Sequence, residues 1–254
     1  MDAAATRRSL ARWLLAALVL SSSAAAGEFV INPLRVTLDR ATRASEVVVR
    51  NDDTAPLRMQ VQAMGWTQNA EGIDQYEPTD TLIYFPRTME ILPGESRIVR
   101  VGVRAAPVTR EETYRLFIEE LPPAAAPDEP AQGTSLRIFL RVGVGVFVAP
   151  AQPERKGEIV RLAVAGRQVD WAVANTGNVH IRADEVELAG LARDGSRLFT
   201  QTFPDRYFLA GATRTMRFDI APEFCGRLVA IEAVVAAERV DLKRKVDVDP
   251  GACT

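Results

Sequence analysis

Between Leu136 and Val148 the chain reads LRIFLRVGVGVFV, in which every second residue, Leu136, Ile138, Leu140, Val142, Val144, Val146 and Val148, is aliphatic. A period of two places that set on one face of an extended strand, with Arg137, Phe139, Arg141, Gly143, Gly145 and Phe147 on the other. At about 3.4 Å per residue the strand would run about 44 Å, roughly twice a common strand, so its own sheet leaves part of it uncovered. Two readings are open. The aliphatic face fills the core of this protein's own sandwich along its whole length, or part of it is completed by something else.

The rest of the chain is ordinary in composition. It has 254 residues, 47% hydrophobic and 25% charged, enough for one large or two small domains. A formal charge of -2 argues against a general nucleic-acid binder. At the start, Arg7, Arg8 and Arg12 make a basic region, Trp13 to Leu20 a short apolar run, and Ala24-Ala25-Ala26 a small-residue cleavage site. This pattern predicts a secretory signal peptide over residues 1–26, and the apolar run is too short to span a bilayer. Thr6-Arg7-Arg8 also fits a twin-arginine signal, so the export route stays open between the two. No later segment reaches the length of a membrane-spanning helix, and no membrane insertion is expected. Cys225 and Cys253 are the only cysteines, and in an exported chain such a pair most simply forms one disulfide.

Short segments with strand periodicity follow one another, and no convincing amphipathic helix interrupts them. Strands are predicted over Phe29–Leu38, Glu46–Arg50, Met59–Ala63, Thr81–Phe85, Arg97–Arg104, Tyr114–Leu121 and from Leu136 onward. Before the last of these the run Pro122 to Pro130, rich in proline, cannot continue a sheet. Seven strands in about 120 residues is the count of an immunoglobulin-like sandwich. Ala149-Pro150-Ala151-Gln152-Pro153 reads as a hinge. Seven more segments follow, Ile159–Val164, Val169–Asn175, Val179–Leu188, Leu198–Phe203, Thr213–Ile220, Leu228–Val235 and Val240–Val248. The expected architecture is all-β, two tandem immunoglobulin-like sandwiches, with domains over residues 27–150 and 151–254.

Enzyme chemistry is hard to assemble from these residues. The one histidine, His180, sits beside a turn, where a solvent-facing or internally satisfied ring is the expectation, and it has no ligand-spaced partners for zinc. Gly143-Val144-Gly145 lacks the third glycine and the following helix of a dinucleotide site. Glu111-Glu112 and Glu119-Glu120 flank a strand and read as a solvated face rather than a catalytic carboxylate pair. No enzyme activity, cofactor or metal is expected, and binding is what remains.

Six stretches together carry a resemblance: NPLRVTLD (Asn32 to Asp39), VVVRNDDTAP (Val47 to Pro56), GWTQNAEGIDQYEPT (Gly65 to Thr79), ILPGESRIVRV (Ile91 to Val101), ETYRLFIEELPP (Glu112 to Pro123) and LRIFLRVGVGVFVAP (Leu136 to Pro150). With them the chain resembles the periplasmic chaperones of the chaperone and usher pathway of pilus assembly, two immunoglobulin-like domains in a boomerang. Trp66-Thr67-Gln68 and Tyr114-Arg115-Leu116 look more like its archaic branch than its P-pilus branch. The resemblance implies periplasmic work on pilin subunits whose immunoglobulin-like fold lacks a strand. The chaperone fills the gap by strand addition and passes the subunit to an outer-membrane usher. On the match Leu136, Ile138 and Leu140 are the lent residues, with Val142 a fourth.

In the P-pilus branch a late lysine on this strand and a first-strand arginine hold the subunit's terminal carboxylate, and the lysine position matches Gly145. The anchor then has to come from elsewhere. Arg115 is the first candidate, because it interrupts an apolar strand and a guanidinium grips a carboxylate through two parallel hydrogen bonds. Arg43 follows from the first-strand match, and Arg141 is the third; the alternative for each is a solvated surface arginine. Two rival functions remain, an exported structural or adhesive immunoglobulin-like fibre subunit, and an exported carbohydrate-active enzyme. The short run between the cleavage site and the first strand disfavours the fibre subunit, and the missing catalytic constellation disfavours the enzyme.

Overall fold

A computed structural model describes residues 28–69, 71–104, 108–122, 138–204, 207–249 and 251–253. The first half forms β1 (Phe29–Asn32), β2 (Arg35–Leu38), β3 (Ala44–Asn51), β4 (Leu57–Gln68), β5 (Asp74–Pro78), β6 (Leu82–Phe85), β7 (Thr88–Ile91), β8 (Ser96–Val103), β9 (Glu112–Glu120) and β10 (Arg141–Val148). One sheet has the order β1-β3-β8-β6; the other runs β2-β10-β9-β4-β5, with β7 also on β4. Their facing residues, among them Val47, Val49, Val99 and Val101 against Val61, Leu116, Ile118, Val144 and Val146, close one core. The predicted single strand Phe29–Leu38 is two strands. Pro33 has no N–H to give a ladder, so β1 pairs antiparallel with β3 and β2 crosses to pair in parallel with β10 in the other sheet.

The second half forms β11 (Gly157–Ala165), β12 (Gln168–Asn175), β13 (Ile181–Leu191), β14 (Arg197–Thr202), β15 (Tyr207–Phe208), β16 (Thr213–Asp219), a one-turn helix α1 (Pro222–Cys225), β17 (Ala230–Ala237) and β18 (Val240–Asp247). The sheets β11-β12-β16 and β14-β13-β17-β18, with β15 on β13, enclose a second core around Trp171, Leu188, Phe208 and Ile231. Cys225 and Cys253 are joined in a disulfide that ties the end of the chain to α1. The fold class is as expected, two immunoglobulin-like sandwiches in tandem. Among the described residues, no helix is long and apolar enough to cross a membrane.

One device recurs in both halves. Asn51 Nδ2, at the end of β3, donates to the carbonyls of Ala55 and Ile91, while its Oδ1 accepts from the Asp53 N–H. Asn175, at the end of β12, makes the same set with Val179, Phe208 and the Gly177 N–H. Both side chains are buried, and each satisfies the backbone of a turn that would otherwise bury unpaired groups.

The organising strand is shorter than its alternation predicts. Over the described residues the ladder starts at Arg141, and Ile138 to Leu140 lead into it without strand pairing. The reason is the partner. β9 ends at Glu120, whose N–H donates to the Leu140 carbonyl at 3.0 Å, and beyond it the chain turns off at Leu121 and Pro122. Leu136 lies outside the described residues.

Candidate functional site

Alternation along β9 sends Tyr114, Leu116 and Ile118 into the first core and leaves Thr113, Arg115, Phe117 and Glu119 on the outer face of the sheet. Register then sets their neighbours. Arg115 lies between Gly145 of β10 and Met64 of β4, Phe117 between Gly143 and Gln62, and Glu119 between Arg141 and Gln60. Opposite Trp66 on β4 stands Tyr76 of β5.

These side chains form a continuous stack. The Arg141 guanidinium carbon sits 3.9 Å over the Phe117 ring, and Phe117 meets Tyr76 edge-on at 5.2 Å. The Tyr76 hydroxyl donates to Asp74 Oδ2 at 3.2 Å and lies beside the Arg115 guanidinium. Arg115 in turn sits 3.8 Å over Trp66 and donates from Nη1 to the Gly143 carbonyl at 3.3 Å. A cation held over an aromatic face in a partly dried site gains about 1–2 kcal/mol. Burial and then the Asp74 charge push the Tyr76 phenol above its ordinary pKa against the opposing pull of Arg115, so it remains a donor.

The two glycines of β10 make room for this stack. A Cβ at Gly145 would come within 2.9 Å of the Phe147 ring and 3.6 Å of Arg115 Nη1, and one at Gly143 within 3.1 Å of the Phe117 ring. A side chain at position 145 therefore has to displace the Phe147 ring and would lie in contact with Arg115. At the level of Gly145 the cation on this face comes from β9, as Arg115, and not from β10.

Beyond Trp66 the stack runs into the junction between the sandwiches. Trp66, Phe147 and Leu209 form a small third core, and the His180 ring stacks on Phe147 at 3.9 Å. Glu111 Oε2 accepts the His180 N–H at 2.7 Å and lies 2.7 Å from its Nδ1. Gln68 clamps the same seam: Nε2 donates to Asp74 Oδ1 and to the Tyr207 carbonyl, and Oε1 accepts the Leu209 N–H. The expectation of a solvated face fails for Glu111, whose side chain is only 2% exposed. The turn before β13 covers it, and the Glu111 N–H donates to the Asn178 carbonyl at 2.8 Å. His180 is internally satisfied, one of the two expectations for it.

Of the three arginines, Arg115 and Arg141 share this face and Arg43 does not. Arg43 precedes β3 in the other sheet, where its carbonyl accepts the Val103 N–H. Arg141 is exposed and pairs with Glu119 Oε2 at 3.3 Å. Arg115 has no carboxylate within ion-pair distance among the described residues; Nη1 is on the Gly143 carbonyl and the Tyr76 hydroxyl lies beside the guanidinium. Along the aliphatic phase, Val144 and Val146 are fully buried and Val142 is half-buried, whereas Ile138 and Leu140 are 67% and 44% exposed. One backbone edge of this region is also open. β9 covers β10 along its whole length, but on the other side β2 covers only Gly145 to Val148.

Trp66, Tyr76, Phe117 and Gln68 were not singled out as site residues from the sequence. Trp66 carried a signal: Met59, Val61 and Ala63 face inward on β4, so Trp66 is an aromatic in the outward phase. Tyr76 carried none, because β5 is a short, polar edge strand.

Residues 28–154 match the family model for pili and flagellar-assembly chaperones, PapD N-terminal domain. Solved structures with the same fold include the chaperone–tip adhesion subunit pre-assembly complex CsuC–CsuE of archaic chaperone-usher Csu pili from Acinetobacter baumannii. That match has 17% identity and a TM-score of 0.56, and covers 86% of this chain and 97% of that one. The Salmonella enterica SafA pilin in complex with the SafB chaperone matches at 15% identity and TM-score 0.55, over 87% of this chain and 98% of that one. The E. coli chaperone DraB matches at 12% and 0.52, over 88% and 98%. Comparison with curated protein sequences finds no significant match.

Proposed function

The chain belongs to the pili and flagellar-assembly chaperones, and from that premise we propose that it holds incomplete immunoglobulin-like pilin subunits in the periplasm and delivers them to an outer-membrane usher. The observation that carries this reading is the split within one alternating series. Val144 and Val146 are spent in the protein's own core, while Ile138 and Leu140, in the same phase, stand in solvent at the end of β10. Beside them runs the open edge of Arg141 to Val144. A subunit with a missing strand supplies what both features lack, main-chain partners for the edge and an apolar groove for the alternate side chains. Each aliphatic side chain fully buried there is worth about 1.5–3 kcal/mol. Leu136 extends the phase and completes the lent set, and half-buried Val142 marks its inner limit.

Arg115 is the anchor for the subunit's terminal carboxylate in this account. It is fixed on Trp66, unpaired with any acid among the described residues, and lies on the same sheet as the lent strand. Arg141 is a weaker candidate because Glu119 already neutralises it, and Arg43 sits in the other sheet. The archaic branch is the better fit within the family, on the likeness of Trp66-Thr67-Gln68 and Tyr114-Arg115-Leu116 to it.

Co-expression with a pilin tests the function. A chaperone yields a soluble one-to-one complex, and a fibre subunit yields ladders of polymer. Arg115→Ala should abolish pilin recovery while the protein stays folded, because removing one partner of a desolvated charge pair costs about 2–5 kcal/mol. Unchanged recovery would take the role away from Arg115.

A further inference from the structure

We propose that Tyr76 is the second arm of the carboxylate seat, its hydroxyl turning from Asp74 to donate to the ligand carboxylate held by Arg115. This rests on the reading of Arg115 as the anchor and adds to it a residue on a different strand.

The geometry favours such a transfer at each step. Arg115 is held flat on Trp66 with Nη1 on the Gly143 carbonyl, so a carboxylate reaches it along the remaining edge of its fork. That fork uses one lone pair of each carboxylate oxygen and leaves the others to be satisfied in a half-dried site. Among the described residues the Tyr76 hydroxyl is the donor beside Arg115 with a free rotation to offer. Its ring is set edge-on against Phe117, and the residue is 39% exposed, so the ligand has access. Its present bond to Asp74 is 3.2 Å, long for a hydroxyl on a carboxylate, where about 2.5–2.7 Å is usual. Asp74 is not orphaned by the exchange, because Gln68 Nε2 continues to donate to it at 2.9 Å. In the free protein Asp74 thus keeps the hydroxyl occupied with a weak bond. The ligand class is the free C-terminal carboxylate of a peptide chain, with no demand on the side chain beside it.

The test uses the whole protein, titrated by NMR with N-acetyl-trialanine as the free acid and as its amide, read at the Arg115 side-chain N–H and the Trp66 indole N–H. The native protein should bind the acid at least tenfold more tightly than the amide. Tyr76→Phe should weaken the acid by roughly tenfold, the worth of a hydrogen bond to a charged group, and leave the amide and the melting temperature unchanged. An acid affinity equal to that of the native protein in Tyr76→Phe overturns this inference and leaves Arg115 as sole anchor. Equal weakening of acid and amide also overturns it, since the ring would then matter only for packing. If the native protein does not distinguish acid from amide, the Arg115 anchor itself fails, and the Tyr76 arm with it.

Discussion

Glu111→Ala should uncouple the two sandwiches. The Glu111 carboxylate is 2% exposed and serves two groups of His180, the backbone N–H and Nδ1, each at 2.7 Å. Truncation to alanine leaves both in a seam already closed by Phe147, whose ring stacks on His180 at 3.9 Å. A buried polar group left without its partner costs about 1–3 kcal/mol, so the loss for two is on the order of 3 kcal/mol. Against a total stability of about 5–15 kcal/mol that is large. Glu111→Gln keeps an acceptor oxygen and the side-chain volume, and should cost roughly half as much. Urea unfolding separates the outcomes by intrinsic fluorescence, because Trp66 lies in the junction and Trp171 in the second core. Glu111→Ala should bring the Trp66 signal to a lower midpoint, ahead of the loss of sheet signal in circular dichroism. An unchanged midpoint would refute the claim that this contact holds the seam.

Two further outcomes follow from the same geometry. Gly145→Lys should displace the Phe147 ring, which its Cβ would meet at 2.9 Å, and crowd Arg115 beside it with a second cation; overpacking of this kind costs about 1–3 kcal/mol, and normal melting with normal pilin recovery would contradict it. Burial, with the bond to Glu112 second, pushes the Tyr114 phenol far above its ordinary value. Its protonated form is therefore favoured by folding: the contribution is complete below the unfolded tyrosine value of about 10 and is lost as pH rises above it. Tyr114→Phe should flatten the fall in thermal stability between about pH 10 and 12, and an equally steep fall in that variant would contradict the assignment.

Local periodicity carried much of the fold. The alternation of β4, β9 and β10 places their inward residues correctly, and all seven segments predicted after the hinge coincide with observed strands to within a few residues. Where one residue decides between two sheets, periodicity is silent: Pro33 splits the first strand because it removes one donor, not because the pattern changes. β5 and β15 are too short and too polar or isolated to show a period, and α1 has a single turn. The site was legible in part. Arg115 stood out as a cation in an apolar strand, but its platform could not, because Trp66 and Phe147 are far apart in the chain and come together only through the register of β4, β9 and β10, and Tyr207 joins them from the second sandwich. Glu111 was misread for the same reason, its cover coming from a turn 69 residues away. The Asn51 and Asn175 pair was a missed signal, an asparagine closing a strand before a polar turn in each half.

The most direct test of the lent strand compares Ile138→Asp with Val146→Asp, measuring thermal unfolding of the free protein and recovery of the soluble pilin complex. Ile138 is 67% exposed and Val146 fully buried, although both belong to one alternating series. The account predicts that Ile138→Asp shifts stability by no more than about 0.5 kcal/mol and abolishes the complex, with the pilin degraded or aggregated. Val146→Asp should instead destabilise the free protein by several kcal/mol, roughly the cost of an unpaired buried carboxylate. Collapse of the free protein on Ile138→Asp, or normal pilin recovery with that variant, would contradict it.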